Sequence, residues 1–277
     1  MFTAHISAGI DYRERPGSGP ALVLLHGIGS NATSFAGLLP LLPADWRVLA
    51  WNAPGYGGSA PLGSDWPLAA DYAGALAGWL DRLGLGRVVL AGHSLGALMA
   101  GAFALAHPGR VARLVLASPA LGHGIAPGAP LPPAAQGRID DLARLGPAAF
   151  ARARAPALIC GAAANPALVA AVETGMACVR NPGYAQAVRM LAAGRLVEDA
   201  ARLAVPTEVV TGAEDAVTPP EGARRLHAAI PPAHRGPLIE VPATGHALYT
   251  QAPLAFAEVL ARPATPDTGT GKKEQAT

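Results

Sequence analysis

Short runs of apolar residues punctuate the chain at Ala21 to Leu25, Arg47 to Trp51, Arg87 to Ala91, Arg113 to Ala117, Thr207 to Thr211 and Leu238 to Val241. Within them apolar and polar residues do not alternate, which is the pattern of strands covered on both faces, as in a parallel sheet. Phe2 to Arg13 reads instead as an antiparallel hairpin leading into that sheet. Between the runs the period changes. Asp71 to Leu83 sets Tyr72, Leu76, Trp79, Leu80 and Leu83 at helical spacing, and Leu95 to Ala106 is small and apolar throughout, as a helix packed on a sheet must be. Strand and helix alternate, so the predicted fold class is α/β, with a mostly parallel central sheet and helices on both faces.

The rhythm stops between Leu121 and about Pro206, where Pro127, Gly128, Pro130, Pro132 and Pro133 open a stretch of helical patches. Helices are predicted at Ala134 to Leu145, Pro147 to Ile159, Pro166 to Cys178 and Pro182 to Leu191, several with proline near the first turn, where its missing N–H is tolerated. The expected organisation is therefore a core from residues 1–120 and 207–262, a helical insertion at 121–206, and a polar, turn-rich disordered tail at 263–277.

With 277 residues, 51% of them hydrophobic and 14% charged, the chain can bury a sizeable core, which excludes disorder for its bulk. The net charge of +2 comes from interspersed arginines and acids with no basic stripe, so no nucleic-acid partner is expected. Val88 to Ala106 carries no charged residue and nearly reaches membrane-spanning length. Its glycines and its change from β-branched to alanine-rich composition favour a buried strand, turn and helix, so no membrane association is expected. The only cysteines, Cys160 and Cys178, lack metal-ligand spacing and read as small buried hydrophobes, with a disulfide between them left open. No metal and no cofactor are expected. The first residues show no basic segment followed by an apolar one, so a cytoplasmic location is the expectation. Self-association is left open.

Chemistry enters with Gly92-His93-Ser94-Leu95-Gly96, placed directly after one predicted strand and directly before a predicted helix. Alone, the pattern fits an ordinary glycine-bounded turn with a serine N-cap. In this position it also fits a sharp elbow that exposes the serine hydroxyl, with the Leu95 N–H at the helix start able to face a developing oxyanion. His26-Gly27-Ile28-Gly29 follows another strand, and its glycines let backbone approach a substrate carbonyl. Ile28 N–H is the candidate second donor, with His26 orienting the loop or contacting substrate. A serine needs a base held in one tautomer by an acid. His246 follows the last predicted strand and Asp215 the one before it, with Glu214 as rival acid and His93 as rival base.

At these residues the chain resembles the α/β-hydrolase superfamily, in its cofactor-free branch of serine hydrolases with a helical cap. The resemblance runs over roughly residues 10 to 260 and includes the turn Ala53-Pro54-Gly55-Tyr56-Gly57-Gly58-Ser59, preceded here by Asn52 where many relatives have aspartate. Ala97 stands where many have a second glycine. The resemblance implies that 121–206 is the cap and that Ser94, Asp215 and His246 form a catalytic triad. It implies an acyl-enzyme route on a small, partly apolar ester or lactone. The alternative within the family is a carbon-carbon bond hydrolase of ring-cleavage products, in which a cap arginine binds a carboxylate, Arg180 and Arg189 being the candidates. Relatives with aspartate at the elbow, the haloalkane dehalogenases and epoxide hydrolases, are set apart by Ser94. A noncatalytic small-molecule binding protein on the same fold is the remaining alternative.

Overall fold

The structure, a computed structural model, describes residues 2–263. Beyond Pro263 the tail expected at 263–277 lies outside the described residues. The chain opens with a hairpin of β1 (Thr3–Ser7) and β2 (Ile10–Arg15), turned by Ala8 and Gly9, both at positive φ (49° and 74°). Two successive residues of that hand match the twist of the paired strands, which is why a two-residue turn suffices.

The hairpin joins β3 (Ala21–Leu25), β4 (Arg47–Trp51), β5 (Val88–His93), β6 (Val111–Ala117), β7 (Thr207–Gly212) and β8 (Arg235–Val241). They form one eight-stranded sheet of order β1-β2-β4-β3-β5-β6-β7-β8. Only β2 runs against its neighbours; every pairing from β4 across to β8 is parallel. β3 and β4 occupy the runs read from the sequence, because each is an apolar segment buried along nearly its whole length. β8 begins three residues earlier than expected. It is a partly exposed edge strand, and an edge tolerates Pro237, which lacks a donor for a further partner.

Between the strands run α1 (Ala69–Arg82) and α2 (Leu95–Ala106). α1 buries Tyr72, Ala73, Leu76, Trp79 and Leu80, and the Asp71 carboxylate accepts the Leu68 N–H (2.7 Å) at its start. α2 packs on α1, β5 and β6 and is buried almost all round, which accounts for the long uncharged run. Among the described residues no helix is long and apolar enough to cross a membrane.

From β6 to β7 the chain passes through α3 (Pro133–Arg154), α4 (Pro166–Met176), α5 (Gly183–Ala193) and α6 (Leu196–Ala200). The two helices expected on either side of Gly146 are two arms of α3, broken where Gly146 adopts φ 74° and ψ 164°. That conformation is open essentially to glycine alone. Past β7 come α7 (Pro220–Ala229), α8 (Leu248–Gln251) and α9 (Pro253–Leu260). α7 packs on β7 and β8, whereas α8 and α9 pack on a 3-10 helix at Ala32–Leu41. Buried Arg113 on β6 pairs with Glu208 on β7 (3.1 Å) and donates to the terminal carbonyls of α9 at Val259 and Leu260, fastening that helix to the sheet. The cysteines depart from expectation: Cys160 is half-buried, Cys178 is exposed, and both are free thiols.

The strand order reverses between β3 and β5, so the chain leaves β3 toward β4 and returns to place β5 on the other side. The loops leaving their carboxyl ends therefore diverge and open a crevice, the place where open α/β sheets bind ligands.

Candidate active site

Ser94 sits at that crevice, on the turn joining β5 to α2, with φ 53° and ψ −113°. This is a strained conformation for a residue with a side chain, and tight packing maintains it. A Cβ on Gly92 would stand 2.3 Å from the Gly96 carbonyl oxygen, and one on Gly96 would stand 2.3 Å from the Leu25 oxygen, so the elbow closes only with glycine at both positions. The Ser94 N–H donates to the Ala117 carbonyl at 2.8 Å.

His246 follows β8, and its Nδ1 lies 2.8 Å from Asp215 Oδ2. Asp215 is itself fixed: Oδ1 accepts the N–H groups of Val217 (2.9 Å) and Thr218 (2.8 Å), and the Thr218 hydroxyl lies 2.9 Å from Oδ2. Burial pushes the Asp215 carboxyl up, but the hydrogen bond and charge of His246 and the donors of Thr218 outweigh it and hold the group below its usual range. Glu214 beside it is exposed and takes no part. With Nδ1 engaged, Nε2 is the ring nitrogen of His246 left for other work, and Ser94 and His246 line the same cavity.

His93, the rival base, has its Nε2 committed to main chain. It is buried, its Nε2–H donates to the His246 carbonyl at 2.8 Å, and burial, followed by the nearby His246 ring, drives its pKa down to about 3. It anchors the main chain that carries His246. Sequence reasoning gave neither this anchoring contact nor the part of Thr218, although an acid followed three residues later by threonine was a legible signal for the latter.

Ile28 and Leu95 both line the cavity. Leu95 is the first residue of α2, so its N–H has no carbonyl one turn back to bond. The Ile28 N–H shares its peptide with the Gly27 carbonyl, which is held by His26 Nδ1–H (2.8 Å) and the Ser30 N–H (3.1 Å), and among the described residues no acceptor takes that N–H; the next peptide is held through the Ile28 carbonyl, which accepts from the Tyr56 hydroxyl at 2.9 Å. His26 was a candidate for touching substrate, and the structure corrects this. It is fully buried and absent from the cavity wall; its Nδ1–H donates to Gly27 O (2.8 Å) and its Nε2 accepts the Ala53 N–H (3.0 Å). Burial lowers its pKa to about 4, so it stays neutral and braces the loop. Asn52 continues the brace, its Oδ1 accepting the Ala32 N–H (2.9 Å) and its amide donating to Asp11 (2.7 Å).

Arg180 and Arg189 are corrected as well. Arg180 is exposed, Arg189 donates to the Asp65 carbonyl (3.0 Å), and neither reaches the cavity. The arginines on its wall are Arg138, Arg154 and Arg225. Nothing in the sequence marked them, because the wall is assembled from turns and helices far apart in the chain. The cavity measures about 830 Å³, and Leu121, Phe150, Leu158, Met176, Leu191 and Tyr249 give it a mainly apolar surface. Among the described residues no group of three or more His, Cys, Asp or Glu side chains is placed to hold a metal ion.

The family model of the alpha/beta hydrolase fold matches residues 20–253, which takes in the elbow, the Asp215 loop and the His246 loop. The chain belongs to that family. Over 127 residues it is 40% identical to 2-hydroxy-6-oxononadienedioate/2-hydroxy-6-oxononatrienedioate hydrolase 2 of Pseudomonas putida, an alignment covering 44% of this chain and 44% of that one. The chain thus spans less than half the length of that curated relative. A thermophilic esterase from Thermogutta terrifontis, solved with malate bound, superposes with a TM-score of 0.78 at 25% identity over 94% of this chain and 95% of the other. The enol-lactonase of Burkholderia xenovorans LB400 superposes with a TM-score of 0.80 at 24% identity over 93% and 98%, a likeness of fold.

Proposed function

We propose that this hydrolase-family chain is a serine hydrolase acting on a small, partly apolar ester or lactone. The observation that carries the reading is the 2.8 Å contact between Asp215 and His246 Nδ1, which leaves Nε2 for the cavity that Ser94 lines at a strained elbow. In the proposed reaction Nε2 accepts the Ser94 hydroxyl proton as Oγ bonds to the acyl carbon, and the N–H groups of Ile28 and Leu95 receive the oxyanion. Collapse breaks the bond to the leaving oxygen, which takes the proton from His246. Water then attacks the acyl-enzyme, giving its proton to Nε2, and Ser94 departs with a proton restored. Asp215 keeps the imidazole in the Nδ1–H tautomer and stabilises the imidazolium.

In this reading residues 121–206 are the cap that selects substrate, an assignment supported by the cavity residues Arg138, Phe150, Met176 and Tyr184, all contributed from that stretch. The free thiols Cys160 and Cys178 are compatible with a reducing cytoplasm as the place of action. A second reading, hydrolysis of a carbon-carbon bond in a ring-cleavage product, draws on the printed name of the Pseudomonas relative. A fluorophosphonate probe tests the nucleophile: wild type is labelled on Ser94 and Ser94→Ala is not. No labelling of wild type, or equal labelling of Ser94→Ala, sinks the assignment of Ser94 as nucleophile, and of the two only the absence of labelling favours a noncatalytic binder. Comparing short acyl aryl esters with ring-cleavage dienoates separates the two hydrolytic readings, the ester being expected to turn over faster.

A further inference from the structure

The loop that follows β3 carries two glycines that answer to different neighbours. Gly27 lies against the elbow: a Cβ there would stand 3.1 Å from Ser94 Cβ and 3.1 Å from His93 Nδ1. Gly29 lies against α4. The three atoms nearest to a Cβ on it would all belong to Met176, the terminal methyl at 2.8 Å, Cγ at 3.4 Å and the sulfur at 3.6 Å. Neither glycine has a positive φ, so it is the close approach of a neighbour, and not the backbone conformation, that requires glycine at both positions.

The end of α4 is tied to this loop by its main chain. The Asn31 side-chain amide donates to the Gly175 carbonyl at 3.1 Å, and Asn31 Oδ1 accepts the N–H (2.9 Å) and the hydroxyl (2.6 Å) of Thr33. Gly175 also sits close on the 3-10 helix, since a Cβ there would stand 3.1 Å from Ser34 Oγ. With both backbones held, only the Met176 side chain can give way at the contact. Methionine is unbranched, with three rotatable bonds, so it fills the recess over Gly29 and swings out when the recess is filled. The free space it meets is the cavity, whose wall Met176 shares with Ile28, Gly29 and Ser94.

Resting on the reading of Ser94 as nucleophile, we infer that Met176 is a specificity-determining residue: its thioether is the wall beside the Ile28 loop and limits how wide the substrate is next to its scissile carbonyl. Gly29 is the recess that holds this wall back. A substrate is least free at that point, because its carbonyl is fixed between Ser94 and the N–H groups of Ile28 and Leu95, whereas elsewhere in a cavity of about 830 Å³ it can shift away from a side chain. The favoured ester or lactone is then slender on the arm that meets α4 and free to broaden farther out.

Two pairs of esters read that width, one on each arm: 4-nitrophenyl butyrate against 4-nitrophenyl 3,3-dimethylbutyrate, and phenyl butyrate against 3,5-dimethylphenyl butyrate. In at least one pair Met176→Ala is expected to raise the kcat/KM ratio of wide to slender ester about tenfold, the scale on which apolar pockets separate substrates by a methyl group or two. Gly29→Ala, which drives the thioether into the cavity, is expected to lower the same ratio about tenfold. Met176→Leu keeps the apolar volume without the reach, so adding it to Gly29→Ala is expected to bring the ratio back near the wild-type value, and this gentler pair of variants carries the test where Met176→Ala does not fold. A ratio unchanged by Gly29→Ala and by Met176→Ala in both pairs, or a Gly29→Ala loss that falls on slender and wide esters alike and is not relieved by Met176→Leu, overturns the inference and leaves Ser94 as nucleophile intact. If no ester is cleaved, calorimetric binding of 4-phenylbutan-2-one against 4-methyl-4-phenylpentan-2-one reads the same wall without turnover, since a ketone can lay its wide arm on either side. Gly29→Ala is then expected to shift the preference toward the slender ketone about tenfold, and an unchanged preference overturns the inference.

Discussion

Asp215 holds His246 with one oxygen and two backbone N–H groups with the other, so its two oxygens are not interchangeable. In Asp215→Asn the carbonyl stays with the Val217 and Thr218 N–H groups, and the amide NH2 is turned toward His246 Nδ1. Nδ1 must then accept, the proton moves to Nε2, and the imidazole cannot take a proton from Ser94. A fall in kcat of about 10⁴-fold is expected with the fold preserved, measured by ester hydrolysis alongside circular dichroism. A loss under tenfold contradicts the assignment. His93 acts one step further away, since its Nε2–H fixes the His246 carbonyl at 2.8 Å. His93→Phe keeps the ring volume and drops that donor, so kcat is expected to fall about tenfold with KM little changed, as for a loss felt only in the transition state. His93→Gln, whose amide can donate, is expected to recover part of the rate. Equal rates for the two variants would show that the hydrogen bond is idle.

The loop bearing His246 is tied to the turn after α3 by Gln251 of α8. Its side-chain oxygen accepts the N–H of Cys160 (3.0 Å) and of Gly245 (2.9 Å), and its amide donates to the Cys160 carbonyl (2.8 Å). Gly245 permits this approach, since a Cβ there would stand 2.7 Å from the Cys160 nitrogen. Gln251→Leu strands partly buried backbone groups, so urea denaturation is expected to show a loss of about 2 kcal/mol and the assay a lower kcat. Unchanged stability would refute the tie. Such contacts explain what was legible in the chain. β3, β4 and α2 were readable because burial on all sides leaves an unbroken apolar run, and the elbow because its glycines follow from local geometry. The choice of Asp215 over Glu214 was not, since neighbours in a loop differ only in which one the fold turns inward. The 3-10 helix at Ala32–Leu41 and α6 escaped notice because each is too irregular or too short to show a period. Arg180, Arg189 and Arg138 could not be ranked, because which arginine meets the cavity depends on how α3 bends at Gly146 and where α5 comes to rest.

At the scale of the whole molecule two of the buried histidines, His26 and His93, tie stability to pH. His26 and His93 have folded pKa values of about 4 and about 3, both driven down first by burial, against about 6.5 in the unfolded chain. As pH falls below 6.5 the unfolded chain takes up protons that the folded chain refuses, so acidification favours unfolding. Each histidine contributes a slope of about 1.4 kcal/mol per pH unit, running down to about pH 4 for His26 and about pH 3 for His93. Asp215 joins at lower pH. Its carboxyl is held below the ordinary value of 3.8, so its contribution is present above that value and is lost as pH falls through the lower folded one. Between pH 6.5 and pH 5 the two histidines together remove about 3 kcal/mol, a drop of roughly 6 °C in melting temperature for a chain of this size. His26→Gln carries no charge at any of these pH values, so scanning calorimetry should show about half the wild-type slope whatever the variant's stability at pH 7. A wild-type melting temperature that stays flat from pH 7 to pH 5 would mean that these histidines are hydrated in solution, and the brace they give the Ile28 and His246 loops would be looser than the geometry requires.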